Sequence, residues 1–339
     1  MRPGGALCGT LIHDLSEPRW IRLKRYSERV PPAWREVNRE DAMSTTTRAT
    51  AGRRDPMDEP LIIEVAVNGG TQRREHPRVP ITQDEVVADG RACAEAGASV
   101  IHVHGRRPDG AFAFDDADAH REAFRALRGD GLLVYPSMMF SRDDPEARFR
   151  HVDQLAAAGL LDWAPVDTGT TCLIPCSDGR LAPRGFTYDN PPADNRHALS
   201  LCVRHRLAPS VAAYEPAFIR QLLLLLPEFP GIRPAMVRFM FGGDRLPFGF
   251  PPDPVFVDAY VHLLRGSGLP WMATCYGGDV LPIAEHVIRR GGHLRVGLED
   301  DPSDPARGNL ERVREVAALA RRIGRPIATP ADARRATGG

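Results

Sequence analysis

The chain has no excess of either charge: 44 Lys and Arg balance 44 Asp and Glu over 339 residues. A balanced chain offers no basic field to recruit nucleic acid and no acidic tail to solvate a partner. It has no apolar run long enough to span a bilayer, the most apolar stretch, Leu222–Leu226, reading as one face of a helix. Its six cysteines include no C-x-x-C pair and nothing like a small disulfide framework, as expected of a reducing compartment. The four-residue spacing of Cys172 and Cys176 is a weak signal for a metal or redox site. No G-x-G-x-x-G follows the first apolar strand, since Asn68-Gly-Gly-Thr is too short and opens a loop, which counts against a doubly wound dinucleotide-binding sheet. The first fifty-odd residues mix Arg, Pro, Glu and Asp and lack the apolar core of a secretory signal. These absences predict a cytoplasmic chain with no membrane segment and no nucleic-acid partner.

What is present is a composition able to bury a large core, 42% hydrophobic and 26% charged. Residues 1–58 hold no sustained period and are expected to form a disordered N-terminal extension, with Met43 and Met57 as candidate starts. Residues 59–339 are expected to form one catalytic domain. From Pro60 a single rhythm repeats, a short apolar strand, a polar loop, then a helical pattern. Strands are predicted at 61–67, 99–104, 132–136, 162–167, 209–214, 236–241, 271–274 and 293–297. Helices are predicted at 82–96, where Thr82 and Glu85 form a capping box, at 145–158 with Gly159 as the stop, and at 216–225, 253–265, 281–290 and 309–323. Eight strand-helix units in about 270 residues predict an α/β chain folded as a single (β/α)₈ TIM barrel. The stretch 172–195, rich in Pro, Gly and Asp, is expected to be a substrate-covering loop.

In a barrel, chemistry sits at the C-terminal ends of the strands. His102 and His104 stand two apart at the end of the second strand and therefore point the same way, as two imidazoles serving one metal would. The alternative for either ring is an ordinary hydrogen-bonded core histidine. The eighth strand ends in Arg295, Glu299 and Asp300, and two histidines plus a carboxylate on one rim complete a His₂-Glu site with an open position, as catalytic zinc requires. Taken alone, Glu299 and Asp300 could be a solvated loop acid and a helix N-cap. Arg295 sits mid-strand among apolar neighbours and needs a carboxylate partner or an anionic ligand. Glu64 interrupts the first strand and is expected to pair with Arg or Lys, or else to face the barrel mouth. Ser137 either turns the chain or reaches substrate. The other groups at or just past the strand ends, Asn68, Thr71, Thr168 and Glu215, are candidate substrate-binding residues.

These residues also resemble a known family. Pro60-Leu-Ile-Ile, Asn68-Gly-Gly, Ala96-Gly-Ala-Ser-Val-Ile-His-Val-His, Tyr135-Pro-Ser, Gly291-Gly-His-Leu-Arg-Val-Gly-Leu-Glu-Asp and Ala328-Thr-Pro-Ala-Asp-Ala are similar to the β-keto acid cleavage enzymes, which include 3-keto-5-aminohexanoate cleavage enzyme. The resemblance implies a (β/α)₈ barrel with zinc held by His102, His104 and Glu299. It implies condensation of a β-keto acid with acetyl-CoA to release acetoacetate and a new CoA thioester, in an oligomer of identical chains. It also implies that Arg295 holds a carboxylate or orients Asp300, that Asp300 moves the proton, and that Ser137 bonds substrate or an oxyanion. Two positions depart from the better-known members: Thr71 replaces an acid, and Ser137-Met-Met-Phe140 replaces Ser-Thr-Gly-Gly. A metal-dependent aldolase-like lyase using no CoA is the main alternative. A metal-dependent hydrolase lacks histidines at the fifth and sixth strand ends, and a non-catalytic barrel leaves the acidic and basic rim without a purpose.

Overall fold

A computed structural model of the chain describes residues 56–138 and 144–338. Almost all of the 1–58 extension, the candidate start at Met43, and Met139 and Phe140 lie outside the described residues. The described chain alternates strands and helices: β1 (Ile63–Ala66), α1 (Gln83–Ala96), β2 (Val100–Val103), α2 (Asp118–Gly129), β3 (Leu133–Pro136), α3 (Pro145–Ala157) and β4 (Trp163–Pro165). An insertion with β5 (Thr171–Leu173), β6 (Cys176–Ser177), β7 (Arg180–Leu181) and β8 (Phe186–Tyr188) leads to α4 (Pro192–His205). The alternation then resumes with β9 (Ala208–Ala213), α5 (Pro216–Leu225), β10 (Met236–Gly242), α6 (Pro254–Leu263), β11 (Trp271–Tyr276), α7 (Leu281–Arg289), β12 (His293–Val296), α8 (Asn309–Ile323) and α9 (Pro330–Thr337).

Eight parallel strands run in the order β3-β2-β1-β12-β11-β10-β9-β4. The two outermost meet where Asp162 N donates to Val134 O at 3.4 Å and Val134 N donates to the Asp162 carboxylate at 3.3 Å, so the sheet curls into a (β/α)₈ barrel. Period-2 alternation sorts each strand's residues between two sides. Ile63, Val65, Ile101, Val134, Phe239 and Leu294 belong to the large apolar core that includes helical residues such as Phe124, Val257 and Val316. The opposite set, Ile62, Val100, Leu133, Trp163, Met236 and Met272, forms a separate cluster inside the barrel, and Ala328 and Ala333 near its lower end join it. Burying each large apolar side chain contributes about 1.5–3 kcal/mol, which offsets the cost of the charged layer above.

Helix ends follow the sequence signals. Thr82 and Glu85 close a capping box on α1, Asp144 caps α3, and Gly159 stands at φ 69° just past α3. The insertion is more ordered than a loop. Leu173 pairs with Phe186 and Thr171 with Tyr188 in one antiparallel ribbon, and Cys176 with Leu181 in another. Asp178-Gly179, both at positive φ, supply the two-residue hairpin turn, and Pro192 starts a helix inside the stretch expected to be a loop. Cys172 and Cys176 are free thiols on β5 and β6. No helix among the described residues is long and apolar enough to cross a membrane.

Candidate metal centre and active site

His102 and His104 project into the barrel from β2 and its end. His102 is buried and stacks on Tyr135 of β3 at 4.4 Å; His104 meets Phe114 edge-on at 5.1 Å. Asn68 fixes the end of the strand, accepting from His104 N at 2.9 Å and donating to His104 O at 3.0 Å. Opposite, the chain turns at Gly297, where φ is 146° and a Cβ would lie 2.1 Å from Ala66 O. That turn lets Glu299 N donate to Ala66 O at 3.2 Å and brings Glu299 back over β1.

The three side chains converge. Glu299 Oε2 lies 3.3 Å from Nε2 of each histidine, and the two Nε2 atoms are 3.1 Å apart. Glu299 Oε1 is held by Arg295 at 2.7 Å, while Oε2 is buried with no hydrogen-bond partner. Burial holds the His102 imidazole well below its usual pKa, leaving it neutral and able to donate a lone pair. Burial alone would raise the Glu299 carboxyl, but Arg295 and the two histidines outweigh it and keep the group well below the usual range, hence ionised. Nitrogen and oxygen lone pairs crowded around one point without a donor fit a divalent metal, and three protein ligands leave a position open. Among the described residues no other set of His, Cys, Asp and Glu meets that pattern. Both Nδ1 atoms are buried without partners, so ring stacking and edge contacts, rather than hydrogen bonds, fix the ring planes.

Beneath the convergence lies a charged layer. Arg295 grips Asp300 with Nε at 2.9 Å and NH2 at 2.8 Å, and its NH1 reaches Glu64 at 3.4 Å. Glu64 also accepts from Tyr135 Oη at 2.6 Å and Arg238 at 3.1 Å, and Arg238 donates to Tyr135 and Ser210. Thr274 donates to Asp300 at 2.7 Å. Burial raises the Asp300 carboxyl despite Arg295 beside it. Glu64 thus pairs with two arginines, and Arg295 finds three carboxylates.

A cavity of about 910 Å³, counting its open mouth, sits above this layer and is lined by His102, His104, Glu299, Arg295 and Ser137 among others. Ser137 Oγ is buried without a hydrogen-bond partner on its wall, and Ser137 O lies 2.8 Å from His151 Nε2. Asp300 lines a neighbouring crevice that shares Gly70, Tyr276 and Glu299 with the cavity. The remaining strand-end candidates are drawn into the scaffold. Thr71 Oγ1 donates to Leu298 O at 2.6 Å at the crevice, and Thr168 Oγ1 donates to Phe218 O at 2.7 Å. Glu215 accepts from Thr171 Oγ1 at 3.1 Å and Gly249 N at 3.2 Å. Asn68 serves the His104 backbone. Sequence reasoning missed Tyr135, Ser210, Arg238 and Thr274. Arg238, mid-strand in Met236-Val-Arg-Phe-Met-Phe, carried the signal that marked Arg295.

Fold and site together define an α/β-barrel enzyme with a metal-competent, open His₂-Glu set at the C-terminal mouth. The model of the beta-keto acid cleavage enzyme family matches residues 60–338, and the chain belongs to that family. It is 28% identical over 285 residues to the 3-oxoadipate:acetyl-CoA acetyltransferase of Cupriavidus necator, covering 82% of this chain and 94% of that one. It is 27% identical over 287 residues to the 3-keto-5-aminohexanoate cleavage enzyme of Acetoanaerobium sticklandii, covering 83% and 98%. Among solved structures, apo ObcA shares the fold with a TM-score of 0.57 at 19% identity, over 77% of this chain and 66% of ObcA.

Proposed function

We propose that this chain is a zinc-dependent enzyme that condenses a β-keto acid with acetyl-CoA, giving acetoacetate and the CoA thioester of the remaining acyl group. The observation that carries the reading is the convergence of His102, His104 and Glu299, with Glu299 Oε2 lacking a donor, beside the Arg295–Asp300 pair. Membership of the family and the acetyl-CoA named for the Cupriavidus relative support it.

The atoms balance as an acyl exchange. C2 of the keto acid gives up a proton and bonds to the acetyl carbonyl carbon, releasing CoA thiolate. The thiolate then adds to the original keto carbon, and the C2–C3 bond breaks. The electron pair returns to C2, which recovers a proton as acetoacetate. Zinc, when bound, would polarise the keto oxygen and steady the enolate. The chain's own groups do the rest. Arg295 fixes Glu299 and Asp300 together. Asp300, buried and with a raised pKa, handles the proton at the crevice that adjoins the cavity. Ser137 Oγ hydrogen-bonds the substrate or the tetrahedral oxyanion.

Incubating the zinc-loaded protein with acetyl-CoA and β-keto acids tests this: a new CoA thioester that disappears in His104→Ala supports the reading, and stoichiometric zinc without any thioester removes it. The second reading, an aldolase-like lyase using no CoA, draws on Met138, which lines the cavity directly after Ser137 and narrows the room for a thioester.

A further inference from the structure

The metal-competent residues occupy one part of the cavity wall. The wall above β9 and β10 differs in character. Leu173, Tyr188, Ala212, Met240 and Phe248 pack into one buried cluster, against which Tyr214 and Tyr276 lie. The ribbon of β5 and β8 delivers Leu173, Phe186 and Tyr188 to the cavity. Phe112 and Phe186 on the wall remain 50% and 45% exposed, Phe112 with Arg106 4.4 Å from its ring centre, so each leaves part of an apolar ring uncovered at the cavity. Large exposed aromatic surface of this kind marks a ligand groove more often than a solvated loop.

Among the described residues, the charges on the wall are already committed. Arg238 shares Glu64 with Arg295 and donates to Tyr135 and Ser210. Asp167, buried at the end of β4, takes Tyr188 Oη on one oxygen at 2.6 Å and Ala212 N on the other at 3.0 Å. A carboxylate or ammonium on the far end of a substrate would lose its water here without gaining an uncommitted opposite charge from the described residues. An apolar end loses nothing of the kind and covers the exposed rings.

Resting on the β-keto acid reading above, we infer that the keto carbon of this enzyme's substrate carries an uncharged apolar substituent of several carbons, seated against Leu173, Phe186, Tyr188, Tyr214 and Met240. The substrate is then neither a dicarboxylate nor an amino-keto acid.

The experiment uses the zinc-loaded full chain and three matched β-keto acids whose substituents end in an alkyl group, a carboxylate or an ammonium, each with acetyl-CoA. The proposal expects kcat/KM for the alkyl acid at least tenfold above both charged acids, and a tenfold loss for that acid alone in Phe186→Arg, a change on a half-exposed ribbon. A higher kcat/KM for the carboxylate acid overturns it and points to Arg238; a higher value for the ammonium acid overturns it and points to Asp167. In either case the cleavage reaction stands. Binding of the corresponding non-cleavable β-hydroxy acids, followed by calorimetry, decides the matter without turnover. Tightest binding of the alkyl compound supports the pocket even if no thioester forms, and equal or weaker binding removes it.

Discussion

Gly69 lies so close to Glu299 that a methyl group on its Cα would sit 2.2 Å from Glu299 Cγ. Gly69 is at φ 49°, in the left-handed region, and its neighbour Gly70 has open space around it. The loop after β1 therefore leaves a notch into which the candidate ligand folds. Gly69→Ala is expected to displace Glu299 and weaken zinc binding by about 10–100-fold, whereas Gly70→Ala leaves it unchanged. Competition of each variant against a chromophoric chelator measures both. Equal affinities would separate Glu299 from the metal.

Arg295 touches Glu299, Asp300 and Glu64 together. A lysine there keeps the charge but cannot fork across two carboxylates. Arg295→Lys is expected to lower kcat/KM by about 100-fold or more, at about 3 kcal/mol of lost transition-state stabilisation. Thr274→Val, which removes one hydrogen bond to Asp300, should cost about tenfold. Steady-state kinetics on both variants, with zinc content confirmed, reads the two losses. An unchanged Arg295→Lys would place the proton transfer elsewhere.

Much of this is legible in the amino-acid sequence. The His102–His104 spacing, the Arg295, Glu299, Asp300 cluster and the eight strand positions follow from period-2 alternation and from charges set in apolar runs. The four polar partners beneath them are not legible as a set. Tyr135, Ser210, Arg238 and Thr274 come from four different strands, and barrel closure, not sequence proximity, brings them together. For the same reason Asn68, Thr71, Thr168 and Glu215, polar and near strand ends, give no sign that their side chains are spent on backbone and loop partners. The paired strands of the 172–195 insertion are two or three residues long, too short for periodicity to register, although Asp178-Gly179 announces the turn.

Glu64 is fully buried between Arg238 and Arg295. Removing its charge leaves the buried Arg238 guanidinium without its carboxylate, while Arg295 keeps Glu299 and Asp300, so Glu64→Gln is expected to destabilise the fold by about 3–5 kcal/mol. Adding Arg238→Met should recover part of that loss, because the excess charge goes with it. Urea unfolding of the single and double variants checks the pair; a Glu64→Gln within about 0.5 kcal/mol of the parent would contradict the account of the charged layer.

Acid sensitivity should arise at the bottom of the barrel as well. Burial, with Arg325 nearby, pushes the His293 imidazole down to about 3, and Ile62 N donates to its Nδ1 at 2.9 Å, so the ring is neutral in the fold. The unfolded chain's imidazole titrates near 6.5. Between those values the unfolded state binds a proton that the folded state refuses, and stability present above pH 6.5 is lost as the pH falls toward 3. At pH 5 the loss from this residue is about 2 kcal/mol. His293→Asn, which keeps an acceptor but cannot titrate, should flatten the decline by about that amount in unfolding measurements at pH 7 and pH 5; an unchanged slope would mean the ring is protonated in the fold.

Acyl exchange is separated from simple cleavage by supplying acetyl-CoA that carries ¹³C at both acetyl carbons. Both labels are expected together in acetoacetate, in amounts equal to an unlabelled new CoA thioester, and neither product is expected with His104→Ala. Cleavage of the keto acid with the label still on CoA, or without any need for acetyl-CoA, would contradict it and establish a CoA-independent lyase in its place.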